Sequence, residues 1–429
     1  MKSTLKTIFF LFIAIFLYSC SDDETTDSTT TTDTDPVETY ILEGNVTEDT
    51  TLAAGNIWTL KGRVSVTDGA TLTIEAGTVI KAESGTGADA STLIIARGGK
   101  IDAQGTASSP IVMTSVSDNI QADGSYPSSG PALGVGTRGL WGGLLVLGKA
   151  PSSFKNDVTE LQIEGIPASD TNGLYGGSDA ADNSGTIEYL SIRHGGAEIG
   201  EGNEINGLTL GGVGSGTKID NVEVVANVDD GIEFFGGTVD ASNLLVWGQG
   251  DDGIDIDQAY SGTITNAMVI LTEASDHAFE IDGPEGSATG KYTIDGATII
   301  GTNDDCDPTG VDGEMADFRK GATGENKNVY ALNFTEGKDV ELDASADAAT
   351  YTAGDLTFMN WDIQYPLSEA DDDGNQTVCP GEAINKIFDD KVNESTFEDD
   401  AATWAEIVTE KQSDAGADES AFSWTFYKR

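Results

Sequence analysis

The chain has 429 residues and carries 73 acidic against 22 basic side chains, a formal net charge of −51. A field of this sign repels nucleic acid and anionic lipid headgroups and attracts divalent cations. Cytosolic nucleic-acid roles are therefore excluded.

The first residues are typical of a signal peptide. A basic start is followed by eleven apolar residues, 8–18, which are too few to cross a hydrocarbon core that needs about 20 helical residues. We therefore expect residues 1–19 to be removed. Residues 17–20, Leu-Tyr-Ser-Cys, resemble the lipobox of bacterial lipoproteins, although Tyr18 is bulkier than the usual residue. The prediction is lipidation of Cys20, and the alternative is ordinary cleavage nearby with loss of Cys20.

Residues 20–39 are predicted to be the lipidated cysteine and a flexible acidic tether. Between Ser21 and Asp35 there is no apolar residue, so this stretch has nothing to bury. An acidic patch directly after the cysteine resembles the surface-export signal of Bacteroidetes lipoproteins. We therefore expect a membrane anchor at Cys20, in the outer membrane, with the body exposed at the cell surface rather than on the periplasmic face.

Two further cysteines, Cys306 and Cys379, lie 73 positions apart. An oxidising compartment permits them to pair and to fasten a late loop to the C-terminal region. Two free thiols are the alternative.

A repeat organises the middle of the chain. Asn221, Asn243 and Asn266 each begin an alternating apolar segment, and they recur after 22 and 23 residues. Asn tolerates the left-handed conformation that a tight turn needs, and its amide group is able to bond the Asn of the next coil. The predicted inward residues are Val222, Val224, Leu244, Val246, Ala267 and Val269.

Two more motifs run in phase with the first, so each period holds three short strands. One begins at Asp229, Asp251 and Asp276, and the other opens with Gly-Thr at residues 216, 237 and 262. Short alternating strands with few prolines predict a parallel β-helix rather than a leucine-rich horseshoe or a propeller.

The same pattern extends over residues 40–365, which predicts roughly 13 coils in a stack about 60 Å long. A solenoid needs protected ends, because an open terminal coil exposes unpaired strand edges. We expect residues 366–429 to form the C-terminal cap, with an amphipathic helix near residues 403–411. A monomer is expected.

Several motifs together resemble the β-helix surface lipoproteins of Bacteroidetes, especially flavobacteria. The resemblance covers residues 40–429 and implies an all-β, right-handed parallel β-helix of the pectin-lyase-like kind, in a family with no established activity. The motifs are Trp-Thr-Leu at 58–60, Gly-Ala-Thr-Leu-Thr-Ile-Glu-Ala-Gly-Thr-Val-Ile at 69–80, Ala-Arg-Gly-Gly-Lys-Ile at 96–101, Trp-Gly-Gly-Leu-Leu-Val-Leu-Gly-Lys-Ala-Pro at 141–151, Ile-Arg-His-Gly-Gly at 192–196 and Gly-Asp-Asp-Gly-Ile-Asp at 250–255.

Acidic residues are predicted to form columns on the outside of the stack. If Ile232, Phe234, Ile254, Ile256, Phe279 and Ile281 point inward, then Glu233, Asp255 and Glu280 point outward about 5 Å apart, with Asp257 and Asp282 as a neighbouring column. Stacked carboxylates must be solvated, partly protonated or neutralised by a cation. Ca²⁺ suits such an oxygen-rich surface. The alternative is that these residues only solubilise the strand face.

A catalytic hypothesis comes from a resemblance to polygalacturonases. Residues 227–229 are similar to the first motif of that family and Asp251-Asp252 to the second, His277 to the third and Arg319-Lys320 to the fourth. The resemblance implies inverting hydrolysis by paired carboxyl groups. Two departures weigh against it: His277 has no flanking glycine, and Arg319 lies 42 positions after it. Asp-Asp-Gly also suits an ordinary tight turn.

Three functions follow from these patterns: a surface module that binds glycan, cations or a surface protein; a glycoside hydrolase that uses Asp229, Asp251, Asp252 and His277; and a spacer. Polysaccharide or a surface protein is the expected partner. The longest departures from the repeat, residues 118–139 and 173–183, are the candidate binding loops. Arg193-His194 before two glycines is interpreted as a strand end, and Trp141 as a packing residue.

Overall fold

The computed structural model describes residues 39–198, 204–302, 313–368, 376–379, 381–412 and 414–426. Its regular structure is mainly short β-strands of two to ten residues. The strands are β1 Thr39–Val46, β2 Thr50–Leu52, β3 Ile57–Val66, β4 Thr71–Ile74, β5 Val79–Ala82, β6 Thr92–Ile95, β7 Lys100–Gln104, β8 Ile111–Ser115, β9 Leu144–Leu147, β10 Leu161–Gln162, β11 Leu174–Tyr175, β12 Gly185–Arg193, β13 Leu208–Gly211, β14 Lys218–Val225, β15 Ile232–Phe235, β16 Ala241–Trp247, β17 Ile254–Asp257, β18 Thr263–Ile270, β19 His277–Asp282, β20 Tyr292–Ile300, β21 Glu314–Arg319, β22 Gly324–Leu332, β23 Val340–Leu342, β24 Leu356–Gln364, β25 Phe388–Asp390 and β26 Ala405–Ile407.

Helices are few and short. They are α1 Ser345–Ala353, α2 Ile384–Ile387 and α3 Phe397–Asp400, with 3-10 turns at Gly87–Asp89, Lys155–Asp157, Thr171–Gly173, Ala401–Thr403 and Glu419–Phe422. Within the described part of the chain, no helix has the length and apolarity needed to cross a bilayer.

The strands stack in parallel from coil to coil, which makes the body a right-handed parallel β-helix, as the sequence predicts. In the described residues one face contains twelve layers, formed by β1, β3, β5, β8 and every even-numbered strand from β12 to β26. A second face contains β6, β9 and the odd-numbered strands from β13 to β25. At about 4.8 Å a layer, the stack is about 50 Å long.

The layer count is one below the roughly 13 coils that the sequence predicts. Residues 116–143 and 148–184 connect β8 to β9 and β9 to β12, and between them they contribute only the small antiparallel pair of β10 and β11. These two segments therefore leave the stack without adding a layer.

The dry interior of the stack is filled by the predicted inward residues. Val222, Val224, Leu244, Val246, Ala267 and Val269 are all at most 1% exposed. They belong to one continuous apolar core that runs from Leu42 to Ala405. The period-two alternation of the repeat is therefore confirmed.

A column of asparagines turns the chain at one corner of each coil. Asn221, Asn243 and Asn266 have φ values of 56°, 55° and 60°. The Asn266 amide donates to Asn243 Oδ1 at 2.6 Å, as predicted, whereas the Asn243 amide donates to Asp220 Oδ1 at 2.7 Å. The next coil has Gly296 at this position, with φ 78°.

The stack continues beyond residue 365. Strand β25 pairs with β23, and β26 pairs with β24 through Ala405 and Trp361. The helix expected near residues 403–411 is therefore wrong, since β26 lies at its start. The open edge of β24 offers unpaired backbone groups, and pairing with them outweighs the apolar spacing of the segment.

After β26 the chain runs back along the outside of the β-helix. We call residues 408–412 and 414–426 the C-terminal strap. Its Val408 amide donates to Ile363 O at 2.9 Å, its Ala417 amide to Thr298 Oγ1 at 2.9 Å, and its Phe426 amide to Glu223 Oε1 at 2.5 Å. The strap thus crosses the layers from β24 back to β14, so this segment braces the side of the stack as well as its end.

Of the cysteines, Cys379 is buried and disulfide-bonded. Cys306 and Cys20 lie outside the described residues, so the predicted pairing of Cys306 with Cys379 and the lipidation of Cys20 stay predictions.

Candidate functional site

The face that contains β13 to β25 carries a column of acidic side chains on its outside. As predicted, its inward residues are buried; they include Ile232, Phe234, Ile254, Ile256, Phe279 and Ile281. The strand register places an acid at the alternate position of six successive coils. We call these residues the acid ladder: Glu233, Asp255, Glu280, Asp317, Glu341 and Asp389.

The first three members of the acid ladder are predicted from the sequence, and the last three are not. The Asp-Asp-Gly turn that marks the coils of Glu233 and Asp255 is absent before Asp317 and Glu341. The remaining signal was an acid between two apolar residues, as in Ala-Asp-Phe at 316–318 and Val-Glu-Leu at 340–342. That pattern is too short to identify a coil without its register.

The first two members of the ladder are buried rather than solvated. Glu233 is 5% exposed and Asp255 8%. Residues 148–176 cover this end of the face: the Tyr175 ring contacts that of Phe235 with centroids 5.9 Å apart, and its hydroxyl donates to Gln258 at 2.8 Å. Solvation, one of the three expected ways of relieving their repulsion, is therefore excluded for these two carboxylates.

A third buried carboxylate, Asp230, joins them. It is 6% exposed, and its Oδ1 accepts the Asp252 amide at 2.9 Å. Burial raises the pKa of Asp230, Glu233 and Asp255 well above the ordinary value, and neighbouring carboxylates raise it further.

Basic side chains pair with three of the four later members of the ladder, whereas Asp317 has no ion pair among the described residues. Arg319 pairs with Glu280, and its Nε lies 2.7 Å from Asp282 Oδ1. Lys320 also pairs with Asp282. At the end of the ladder Lys391 pairs with Glu341 and lies 3.0 Å from Asp389.

Arg319 and Lys320 therefore form ion pairs with Glu280 and Asp282. The polygalacturonase resemblance implies instead that they lie beside the predicted catalytic aspartates. In the neighbouring column, Asp257 lies one coil before Asp282. Burial, followed by the charge of Asp282, raises the pKa of Asp257 to about 7, against the opposite effect of Lys320.

The predicted catalytic residues lie at the turn that precedes the ladder strands. Asp229, Asp251 and Asp276 stack in successive coils, with the Asp276 amide donating to Asp251 O at 2.9 Å; we call them the rim aspartates. Carboxylate oxygens of Asp229, Asp230 and Asp251 lie within 4.8 Å of one another. Asp251 and Asp276 are exposed and Asp229 is half-buried.

The other two predicted catalytic residues form an ion pair one position further on. His277 Nδ1 lies 2.9 Å from Asp252 Oδ1, which also accepts the His277 backbone amide at 2.8 Å. Asp252 is only 3% exposed. Asp230 and Asp252 thus each bind the backbone of the next coil, a turn role that leaves the rim aspartates as the accessible carboxyl groups.

The titration of this turn reflects its burial and crowding. Burial, followed by the charges of Glu164 and Asp251, raises the pKa of Asp229 to about 7. Burial, followed by Asp252 and Asp276, raises the pKa of Asp251 to about 6. Burial lowers the pKa of His277, but Asp252, Asp276 and Asp317 outweigh it and raise that pKa to about 9. His277 is therefore cationic at neutral pH.

Two segments wall this face. On the side of the rim aspartates, Arg138 of the 118–139 insert donates from Nε to Gly248 O at 2.7 Å and from Nη2 to Thr272 Oγ1 at 2.8 Å. On the opposite side, the Ser153 amide donates to Gln258 O at 2.9 Å and Ser153 Oγ accepts the Gly286 amide at 3.1 Å.

We call residues 148–176, which cover the first two acids of the ladder, the covering segment. The other candidate binding loop, 173–183, begins within it. Its Ala180 carbonyl accepts hydrogen bonds from Ser215 and Thr238, which lie on the side of the face opposite the rim aspartates. The first part of the acid ladder, from Glu233 to Glu280, therefore lies between loops and is not a bare column.

Arg193, His194 and Trp141, which the sequence predicts to be structural, make packing contacts and hydrogen bonds within the fold. Arg193 lies 3.7 Å from the buried Glu223 carboxylate, and its guanidinium lies 4.5 Å from the centre of the Phe426 ring. His194 Nδ1 lies 2.7 Å from Thr137 O, and the Trp141 indole donates to Arg193 O at 2.7 Å. They join the 118–139 insert and the C-terminal strap to the stack.

Three comparisons with known proteins give one family match, over residues 44–424. The catalytic unit of a thermostable GH87 α-1,3-glucanase from Streptomyces thermodiastaticus matches with a TM-score of 0.25 and 12% identity, over 79% of this chain and 62% of that structure. No curated protein matches the sequence. The model of the pectate-lyase-like β-helix domain family matches residues 44–424. The chain belongs to the pectate-lyase-like β-helix domain family.

Proposed function

We propose that this chain is a lipid-anchored protein of the cell surface that holds a polysaccharide along the acidic face of its β-helix. The observation that carries the proposal is the walling of that face by residues 118–139 and 148–176. A spacer needs no walls, whereas a binding face is commonly bordered by loops on a rigid scaffold.

The face also suits a long, uncharged ligand. The open part of the acid ladder, from Glu280 to Asp389, spans four layers, about 14 Å at about 4.8 Å each. Carboxylates accept hydrogen bonds from hydroxyl groups, and the negative field repels anionic polymers. Neutral glycan chains meet both conditions.

A glycan array with the full lipidated chain in detergent tests the binding. We expect neutral polysaccharides to bind, and Asp251→Asn to weaken binding about tenfold, since each lost charge-assisted hydrogen bond is worth about 1.5–3 kcal/mol. Glu48→Gln, an equal charge change on an exposed residue of the first coil, should bind as the wild type does. Capture of a basic surface protein with no glycan signal would overturn the proposal.

A second candidate function is hydrolysis of the bound polysaccharide. It is favoured by the rim aspartates Asp229 and Asp251, whose carboxylate oxygens lie within 4.8 Å of one another. This spacing is shorter than the about 6.5–9.5 Å between the carboxyl groups of inverting enzymes and nearer the about 5–5.5 Å of retaining ones, so it favours a retaining mechanism over the inverting one expected from the sequence. A screen of the purified chain on a polysaccharide panel should release reducing sugar, and Asp251→Ala should abolish that release. Absence of reducing sugar from every substrate refutes hydrolysis and leaves binding intact.

The proposed anchor rests on Cys20 and the acidic tether behind it. Mass spectrometry of the N-terminal peptide should show an acylated Cys20, and protease added to intact cells should remove the protein. Cys20→Ala should release the chain from the membrane fraction, because the acyl chains supply the membrane affinity. Protection from protease until the outer membrane is opened would assign it to the periplasmic face instead.

A further inference from the structure

We propose that Asp230, Glu233 and Asp255, together with the amide oxygen of Asn206, hold a buried Ca²⁺ ion beneath the covering segment. The site involves two neighbouring coils, β15 and β17, and the connection that precedes β13. It does not rest on the polysaccharide hypothesis, because the covering segment separates it from the open part of the face.

The carboxylates are close enough to share one ion. One oxygen from each of Asp230, Glu233 and Asp255 lies within 4.8 Å of the other two. Ligand oxygens about 2.3–2.6 Å from a Ca²⁺ ion are at most about 5 Å from one another, so the spacing fits a common ion.

No basic side chain compensates these three charges. In the described residues, no Lys, Arg or His forms an ion pair with Asp230, Glu233 or Asp255, although the later ladder members have Arg319 and Lys391. All three are more than nine-tenths buried. Buried charges are stable only when they are paired or bind metal, and otherwise they take up protons.

Two unpaired oxygens favour metal over protons. Asp255 Oδ1 is buried and has no hydrogen-bond partner. Protons shared among the carboxyl groups would give this atom a donor or an acceptor within hydrogen-bond distance.

The second oxygen belongs to a neutral residue, Asn206, whose amide group contacts Glu233. Asn206 is 1% exposed and donates its amide hydrogen to Glu233, yet its Oδ1 has no partner. Native structures rarely leave buried oxygens unsatisfied without an ion or a water beside them.

The donor set points to Ca²⁺ among common cations. All four donors are oxygens, whereas zinc sites in proteins use mainly cysteine sulfur and histidine nitrogen. The two histidines of the chain, His194 and His277, have other partners. Mg²⁺ keeps several waters in a strict octahedron, whereas Ca²⁺ accepts irregular cages of carboxylate and amide oxygens. The closed site favours the second arrangement.

Metal analysis of the full chain after extensive dialysis tests the site. We expect one tightly held Ca²⁺ per chain that is lost in Asp255→Asn and retained in Asp389→Asn. The control removes an equal charge from the opposite end of the same ladder, where Lys391 lies 3.0 Å away. Retention of this Ca²⁺ in Asp255→Asn, or its absence from the wild type, overturns the proposal.

Thermal unfolding gives a second measurement. It distinguishes a bound Ca²⁺ ion from protonated carboxyl groups by the direction in which Asp255→Asn shifts the melting midpoint. With Ca²⁺ in excess, the wild-type midpoint should rise by roughly 5 °C over that in EDTA, Mg²⁺ should not replace Ca²⁺, and Asp255→Asn should not respond. If the carboxyl groups are kept neutral by protons and no Ca²⁺ binds, Asp255→Asn removes the free-energy cost of protonating a buried acid near pH 7 and exceeds the wild type in both Ca²⁺ and EDTA. Should Asp255→Asn fail to fold, the Ca²⁺ content and Ca²⁺ response of the wild type decide alone.

Discussion

The asparagine column offers a quantitative test of the stacked architecture through Asn243. Its side chain makes two hydrogen bonds, to Asp220 Oδ1 at 2.7 Å and from Asn266 at 2.6 Å, and its backbone has φ 55°. The two substitutions Asn243→Gly and Asn243→Ala both remove the hydrogen bonds, but only alanine is strained by the positive φ.

The magnitudes follow from these contacts. Two partly buried hydrogen bonds are worth about 1 kcal/mol each, so both variants lose about 2 kcal/mol. Glycine adds about 0.5–1 kcal/mol through chain entropy, whereas alanine adds about 1–2 kcal/mol of left-handed strain. We therefore expect the free energy of unfolding to fall in the order Asn, Gly, Ala, with Gly and Ala about 1 kcal/mol apart.

Urea unfolding followed by tryptophan fluorescence measures this order. The chain also contains its own reciprocal control, since Gly296 occupies the same column one coil beyond Asn266. A Cβ there would meet nothing closer than 3.7 Å, so Gly296→Asn should fold and Gly296→Ala should be the less stable of the two. An alanine at 243 that equals or exceeds glycine would refute the left-handed turn and the stacking inferred from it.

Three further outcomes are expected. The pKa of His277 is raised from 6.5 to about 9. The charged His277 side chain therefore stabilises the fold fully below pH 6.5, and this stabilisation is lost as the pH rises through 9. His277→Gln should reduce the fall of the melting midpoint between these pH values. Phe426→Ala removes the ring over Arg193 and should lower the free energy of unfolding by about 1–3 kcal/mol, measured by urea unfolding, whereas no change would mean that the strap end is not held. Lys391→Met should lower the melting midpoint more at low salt than at high salt, because its carboxylate partners are partly solvated; a salt-independent loss would contradict an electrostatic role.

An acid-ladder residue could be predicted from the sequence only where a recognisable turn motif precedes it. Glu233 and Asp255 follow Asp-Asp-Gly turns, which set their phase, whereas Asp317 and Glu341 follow sequences without this motif and were missed. Asp252 and His277 were expected to be catalytic because of a motif. Their contacts with the backbone of neighbouring coils appear only when the coils are stacked.

The β-helix is predictable from the repeat, because a period of 22 or 23 residues with period-two alternation allows side chains such as Val222, Leu244 and Ala267 to share one dry column. The repeat also predicts the asparagine turns, since few residues other than Asn and Gly tolerate that backbone. The folded chain is needed to see which outward acids residues 148–176 cover and which ones Arg319 and Lys391 neutralise. These contacts join segments far apart in the chain, and no local pattern encodes them.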